Sequence, residues 1–76
     1  MTNWNQEASL LLKTELTRRG ISHKVLVEKL ADLGVIETVG AINNKLSRGT
    51  YKMAFFLQCM RAIGAKTVSV SVLDDK

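Results

Sequence analysis

The sequence predicts a mainly α domain: four helices followed by one short C-terminal β-strand. Three observations carry that expectation. Glycines at 20, 34, 49 and 64 each close an amphipathic stretch, and glycine readily takes the left-handed conformation just past a helix end. Between the glycines, apolar residues recur three and four apart, which is the period of one helix face. From Lys66 the period changes to two, because KTVSVSVL alternates apolar with polar residues, the pattern of a half-buried strand.

The first helix is expected over about residues 3–19. Asn3 with Gln6 three residues on matches a capping box, and Ala8, Leu11, Leu12 and Leu16 form the inward stripe, with Leu10 at its edge. Glu7, Lys13, Glu15 and Thr17 read as outward. Gly20 ends the helix, and Ile21 follows at the position where a hydrophobic contact back to the helix is common. Arg18 and Arg19 lie in the last turn, where cations favour the helix dipole; a phosphate contact is the other reading of the pair.

The second helix is expected over 23–33, with Ser22 as a hydroxyl N-cap. Val25, Leu26, Leu30 and Leu33 read as inward and Val27 as half-buried. In the apolar connection Gly34-Val35-Ile36-Glu37, Val35 or Ile36 would plug the core. The third helix is expected over 38–47, with Val39, Ile42 and Leu46 as its buried stripe. The fourth is expected over 51–63, capped by Thr50, with Phe55, Phe56, Cys59, Met60 and Ile63 inward. The helical spacing of the two phenylalanines assigns them to the core rather than to base stacking. The strand is expected over 66–73, with Val68, Val70 and Val72 on one face. One strand cannot satisfy its own backbone groups, so it requires a partner strand.

Length and composition set the outer limits. Seventy-six residues make one domain that buries roughly 60% of its unfolded surface. Hydrophobic content of 46% with 24% charged residues is globular. The one cysteine, Cys59, excludes an intrachain disulfide and a multi-cysteine metal site. It fits a reducing, cytoplasmic setting and reads as a small buried hydrophobe rather than a nucleophile. No apolar run approaches the roughly 18 residues that mark a membrane span, and the first residues, MTNWNQE, carry no signal-peptide pattern. There is no Gly-rich phosphate loop, no metal-ligand cluster and no nucleophile–base set, so neither an enzyme nor a cofactor is expected, and no small-molecule ligand is evident. The net charge of +4 and pI of about 9.6 favour a polyanionic partner.

The third helix carries the functional expectation. Opposite its apolar stripe, at 100° per residue, stand Gly40, Ala41, Asn44 and Arg48, with Lys45 at the edge. This face is small, then polar, then basic, and such a face fits a DNA major groove. A plain solvated surface would look similar. At the start of the second helix, Ser22, His23 and Lys24 are placed to meet a phosphate, since helix N-termini bind anions.

The order helix, Gly-Ile-Ser, helix, Gly-Val, helix, Arg-Gly, helix resembles the lambda-repressor-like helix-turn-helix domains of phage and bacterial regulators. The matching segments are LKTELTRRGISHKVLVEKLADLG, AINNKLSRG and MRAIG, covering about residues 8–64. The chain also resembles a family of small bacterial proteins of unknown function with a Lys-Leu-Ser-Arg-Gly-like centre. The repressor resemblance implies base contacts from Thr38, Gly40, Ala41, Asn44 and Lys45, with Arg48 toward the backbone. In that family the second helix begins Ser-Gln, with the Gln on a phosphate; His23 holds that place here. The turn from Gly34 to Ile42 is longer than the family's usual one.

The expectation is therefore a sequence-specific, repressor-like regulator of double-stranded DNA. Ser22, His23, Lys24, Arg48 and Lys52 would contact phosphates, and a homodimer would form through the strand bearing Val68, Val70 and Val72. The alternative is a helical protein-interaction or adaptor module without DNA binding, with RNA binding a third reading.

Overall fold

The computed structural model describes residues 3–68. Its four helices are α1 (Trp4–Arg18), α2 (His23–Asp32), α3 (Val39–Arg48) and α4 (Met53–Ala62). Three of them begin on a capping side chain, two of which, Asn3 and Ser22, are the expected ones. Asn3 Oδ1 accepts from the Gln6 N–H at 3.0 Å, Ser22 Oγ from Val25 at 3.2 Å, and Thr38 Oγ1 from Ala41 at 3.0 Å. Each bond satisfies one of the amides that a helix start leaves without an internal partner.

Three helices also end alike. Gly20, Gly34 and Gly64 have φ between 65° and 81°, and the next residue's N–H returns to a carbonyl five residues earlier. These bonds are Ile21 to Leu16, Val35 to Leu30 and Ala65 to Met60, all at 2.9 Å. With the accompanying glycine N–H bonds this is the Schellman arrangement, and it brings an apolar side chain back onto the helix. Gly49 differs, because it is buried and a Cβ there would lie 1.8 Å from the Asn5 carbonyl oxygen of α1. The α3–α4 connection thus passes against the first turn of α1 at a distance only glycine permits.

The core is Leu12, Leu16, Leu26, Leu30, Ile42, Leu46, Phe55, Cys59 and Met60. α3 packs on both α1 and α2, and α2 packs on α4. Each leucine removed completely from water contributes roughly 1.5–3 kcal/mol of transfer free energy. The two buried positions of α3, Ile42 and Leu46, fix which side of that helix is left outside.

Several expectations are corrected. Glu15 is buried, at 1% exposure, because it lies beside Leu12 at the edge of the inward stripe and two guanidiniums cover it. Arg18 Nη1 is 3.4 Å from its carboxylate and Arg19 Nη1 makes a closer bond. Arg19 also donates to the Glu15 carbonyl. A buried carboxylate without such partners would be costly, so these arginines serve α1 itself. Leu33 and Val39 are exposed, since they flank the α2–α3 turn and nothing packs over them. Val35, not Ile36, packs on the core; Ile36 is 81% exposed.

Thr50 does not cap α4. The N-cap is Lys52, with no side-chain cap bond. The chain stays out of helix there because Tyr51 reaches across to α1, its hydroxyl donating to the Ala8 carbonyl at 2.5 Å. No strand occurs among the described residues: Lys66, Thr67 and Val68 are irregular, with no neighbouring ladder to join. Val68 is half-buried against the core of its own chain. The remainder of the expected strand, including Val70 and Val72, lies outside the described residues. No helix among the described residues is long and apolar enough to cross a membrane.

Candidate functional site

The outer side of α3 is the candidate site. Ile42 and Leu46 point inward, and at 100° per residue Asn44 stands opposite them. Gly40, Asn44, Ser47 and Arg48 are exposed and Ala41 is half-buried. No large apolar side chain interrupts this strip.

Both flanks of the strip are braced. On the α2 side, His23 Nδ1 is bonded to Asn43 Oδ1. The bond ties the first residue of α2 to the middle of α3 and leaves Nε2 for any other partner. On the α4 side, Lys45 Nζ donates to Glu37 Oε2 at 2.7 Å and lies 4.6 Å from the centroid of the Phe55 ring. The ammonium is therefore held by a carboxylate and by a ring face at once. These braces fix the rotation of α3 about its own axis.

The expected phosphate-binding residues fall into two groups. Ser22 and Lys24 stand at the start of α2, where Ser22 Oγ is engaged as cap acceptor while its O–H can still donate. Lys24 is exposed. Arg48, in the last turn of α3, and Lys52, at the start of α4, are exposed on either side of the α3–α4 connection. They border a groove that also touches Asn44, Tyr51 and Gln58. Thr38 is exposed at the N-cap of α3, so the start of α2, the outer strip of α3 and the start of α4 supply all the expected contact residues. Of the expected lysine and arginine contacts, Lys45 is the one held in an ion pair among the described residues.

The groups beneath this surface are chemically quiet. Burial pushes the Cys59 thiol up to about 12, Glu37 raising it further and Lys45 opposing. A thiol held protonated is no nucleophile at neutral pH. Burial also raises the Tyr51 hydroxyl, as does Cys59, which keeps the proton it donates to Ala8. The Tyr51 ring stacks near-parallel on Phe56 with centroids 6.3 Å apart and lies 5.7 Å from Phe55. Among the described residues no group of three or more His, Cys, Asp or Glu side chains is placed to hold a metal ion.

Sequence reasoning missed Glu37, Asn43, Ser47 and Tyr51. Ser47 was within reach of the helical arithmetic, being next to Asn44 on the outward arc. The other three act through contacts between elements, and no local spacing announces them.

A family described as a domain of unknown function, DUF6471, matches residues 4–68. The chain belongs to this family. The DUF6471 match runs from the first residue of α1 through all four helices to Val68, so the braced strip of α3 lies within the family's common region. No curated protein and no solved structure matches the chain.

Proposed function

We propose that this DUF6471 domain binds double-stranded DNA in a sequence-specific way. In this reading α2 and α3 act as a helix-turn-helix of the lambda-repressor-like kind, and α3 enters the major groove. The observation that carries the reading is the outer strip of α3. It presents small residues first, then Asn44, then Arg48, and neighbouring elements brace it on both flanks. An asparagine amide can bond an adenine edge in bidentate fashion, and small residues let the helix backbone approach the bases. Thr38, Gly40, Ala41 and Asn44 would face base edges, with Lys45 at their margin. Ser22, His23, Lys24, Arg48 and Lys52 would meet phosphates, which set register and supply most of the affinity. Occupancy of an operator would itself repress, by excluding polymerase.

A homodimer completes the proposal, with the C-terminal segment bearing Val68, Val70 and Val72 paired to its own copy about a two-fold axis. One helix reads few base pairs, and two related by symmetry could meet successive major grooves roughly 34 Å apart. Sedimentation of the full chain against a form lacking residues 67–76 tests the dimer: a monomeric full chain ends that part of the proposal. A truncated chain that stays dimeric moves the contact to the helices.

The second reading, a protein-interaction module, is favoured by a different surface. Met53 and Leu57 are exposed four residues apart on α4, and Ile36 protrudes before α3. A salt series on random-sequence DNA separates the two. With Lys24, Arg48 and Lys52 on phosphates, the log–log slope should be about −2.7, from about −0.9 per contact. A flat response removes the DNA reading and leaves the interaction module.

A further inference from the structure

We propose that Glu37 is a positioning residue that withholds Lys45 from the DNA backbone, so that the α3 surface binds DNA with one cation fewer than its sequence offers. The inference rests on the DNA-binding reading above and adds to it a residue that sets how strongly the surface holds DNA of any sequence.

Glu37 sits in the turn just before the N-cap of α3, and eight residues later Lys45 returns to the same flank two helical turns along. The Lys45 Nζ to Glu37 Oε2 distance is 2.7 Å. The two partners differ in exposure: the Lys45 side chain is 40% exposed, but that of Glu37 only 14%. The carboxylate is largely out of water and Lys45 is its only ion-pair partner among the described residues. Phe55 closes the other side of the ammonium at 4.6 Å. For Lys45 to reach a phosphate it must leave both contacts. It would leave behind a poorly hydrated negative charge beside a negative DNA strand, which is unfavourable on both counts. Lys24, Arg48 and Lys52 are exposed and have no such carboxylate among the described residues. Glu37 thus separates Lys45 from the other cations of the surface, though all four lie in the segment from α2 to α4.

Binding to random-sequence duplex DNA, measured by fluorescence anisotropy across 50–200 mM salt, tests this. Glu37→Gln keeps the shape of the side chain and frees Lys45. The slope should steepen by about 0.9, which is an additional three- to fourfold loss of affinity across that fourfold range of salt. Glu28→Gln, which removes an exposed carboxylate of α2, makes the same change in net charge and should leave the slope as in the wild type. The double variant Glu37→Gln with Lys45→Gln should return to the wild-type slope. Lys45→Gln alone, with Glu37 in place, should leave the slope unchanged, whereas Arg48→Gln should flatten it by about 0.9. This last pair does not depend on how well the Glu37 variant folds. If Lys45→Gln flattens the slope as much as Arg48→Gln does, or if Glu28→Gln steepens it as much as Glu37→Gln, Glu37 withholds nothing and the proposal is overturned. A wild-type chain that shows no salt-dependent binding at all instead overturns the DNA-binding reading, and this inference goes with it.

Discussion

Replacing Gly49 with alanine should be the most damaging single-methyl change in this domain. Gly49 has φ +68° and closes α3. A Cβ there would stand 1.8 Å from the Asn5 carbonyl oxygen, 2.7 Å from the Asn5 carbonyl carbon and 3.1 Å from the Ser9 nitrogen. All three are backbone atoms of α1's first turns or its start, so no side-chain rotation relieves the clash. A carbon normally approaches a carbonyl oxygen to no closer than about 3.3 Å, so α1 and the α3–α4 connection must part by about 1.5 Å. The left-handed backbone adds about 1–2 kcal/mol for any residue with a Cβ, and overpacking of this kind typically costs about 1–3 kcal/mol. The sum, about 2–5 kcal/mol, is a large part of what a domain of this length has, at roughly 0.05–0.15 kcal/mol per residue. The built-in control is Gly34→Ala. Gly34 has φ +81° but nothing within 4 Å of a built Cβ, so only the backbone penalty applies. Urea unfolding followed by circular dichroism compares the two. Equal destabilisation of Gly49→Ala and Gly34→Ala would refute the close approach to α1.

Three further predictions concern other parts of the fold. Arg19→Ala removes the nearer of the two guanidiniums on buried Glu15 and should lower stability by about 1–3 kcal/mol, read from the same urea midpoint; no change would mean that Arg18 suffices. Gly40→Ala lies in a helix with nothing within 4 Å of its Cβ, so the fold should gain about 0.5–1 kcal/mol, while the methyl, set on the strip proposed to face the bases, should weaken binding to a preferred DNA site. The Cys59 thiol is raised in the folded state from 9.0 to about 12, so its contribution is whole below about pH 9 and is lost as pH rises toward 12, by up to about 1.4 kcal/mol per unit; Cys59→Ala should flatten the decline in urea midpoint between pH 9 and 10.5, and an unchanged decline would assign it to other groups.

Helix ends were the most legible feature of the sequence. Gly20-Ile21, Gly34-Val35 and Gly64-Ala65 each pair a left-handed glycine with an apolar residue, and each forms the same backbone bond, because this arrangement depends on adjacent residues only. The caps Asn3 and Ser22 were legible for the same reason, whereas Thr38, expected as the first residue of α3, is its N-cap. The start of α4 was not, because Tyr51 is committed to a carbonyl 43 residues earlier in the chain and local rules favoured Thr50. Glu15 was misplaced because charge suggested solvent, whereas its burial depends on arginines three and four residues on. The outward strip of the candidate site followed from the 3.6-residue period, which needs only Ile42 and Leu46 to be inside. Its flanks did not, since the His23–Asn43 and Glu37–Lys45–Phe55 contacts exist only once α2, α3 and α4 have packed.

The central claim is that the outer strip of α3 reads bases, and Asn44 is its midpoint. The most direct measurement selects bound sequences from a random DNA pool, then compares wild type and Asn44→Ala on the selected site and on random DNA at one salt concentration. The account predicts a loss of about 1–3 kcal/mol on the selected site, about 5- to 150-fold, with little change on random DNA. A pool that yields no preferred sequence, or an equal loss on both DNAs, would contradict it.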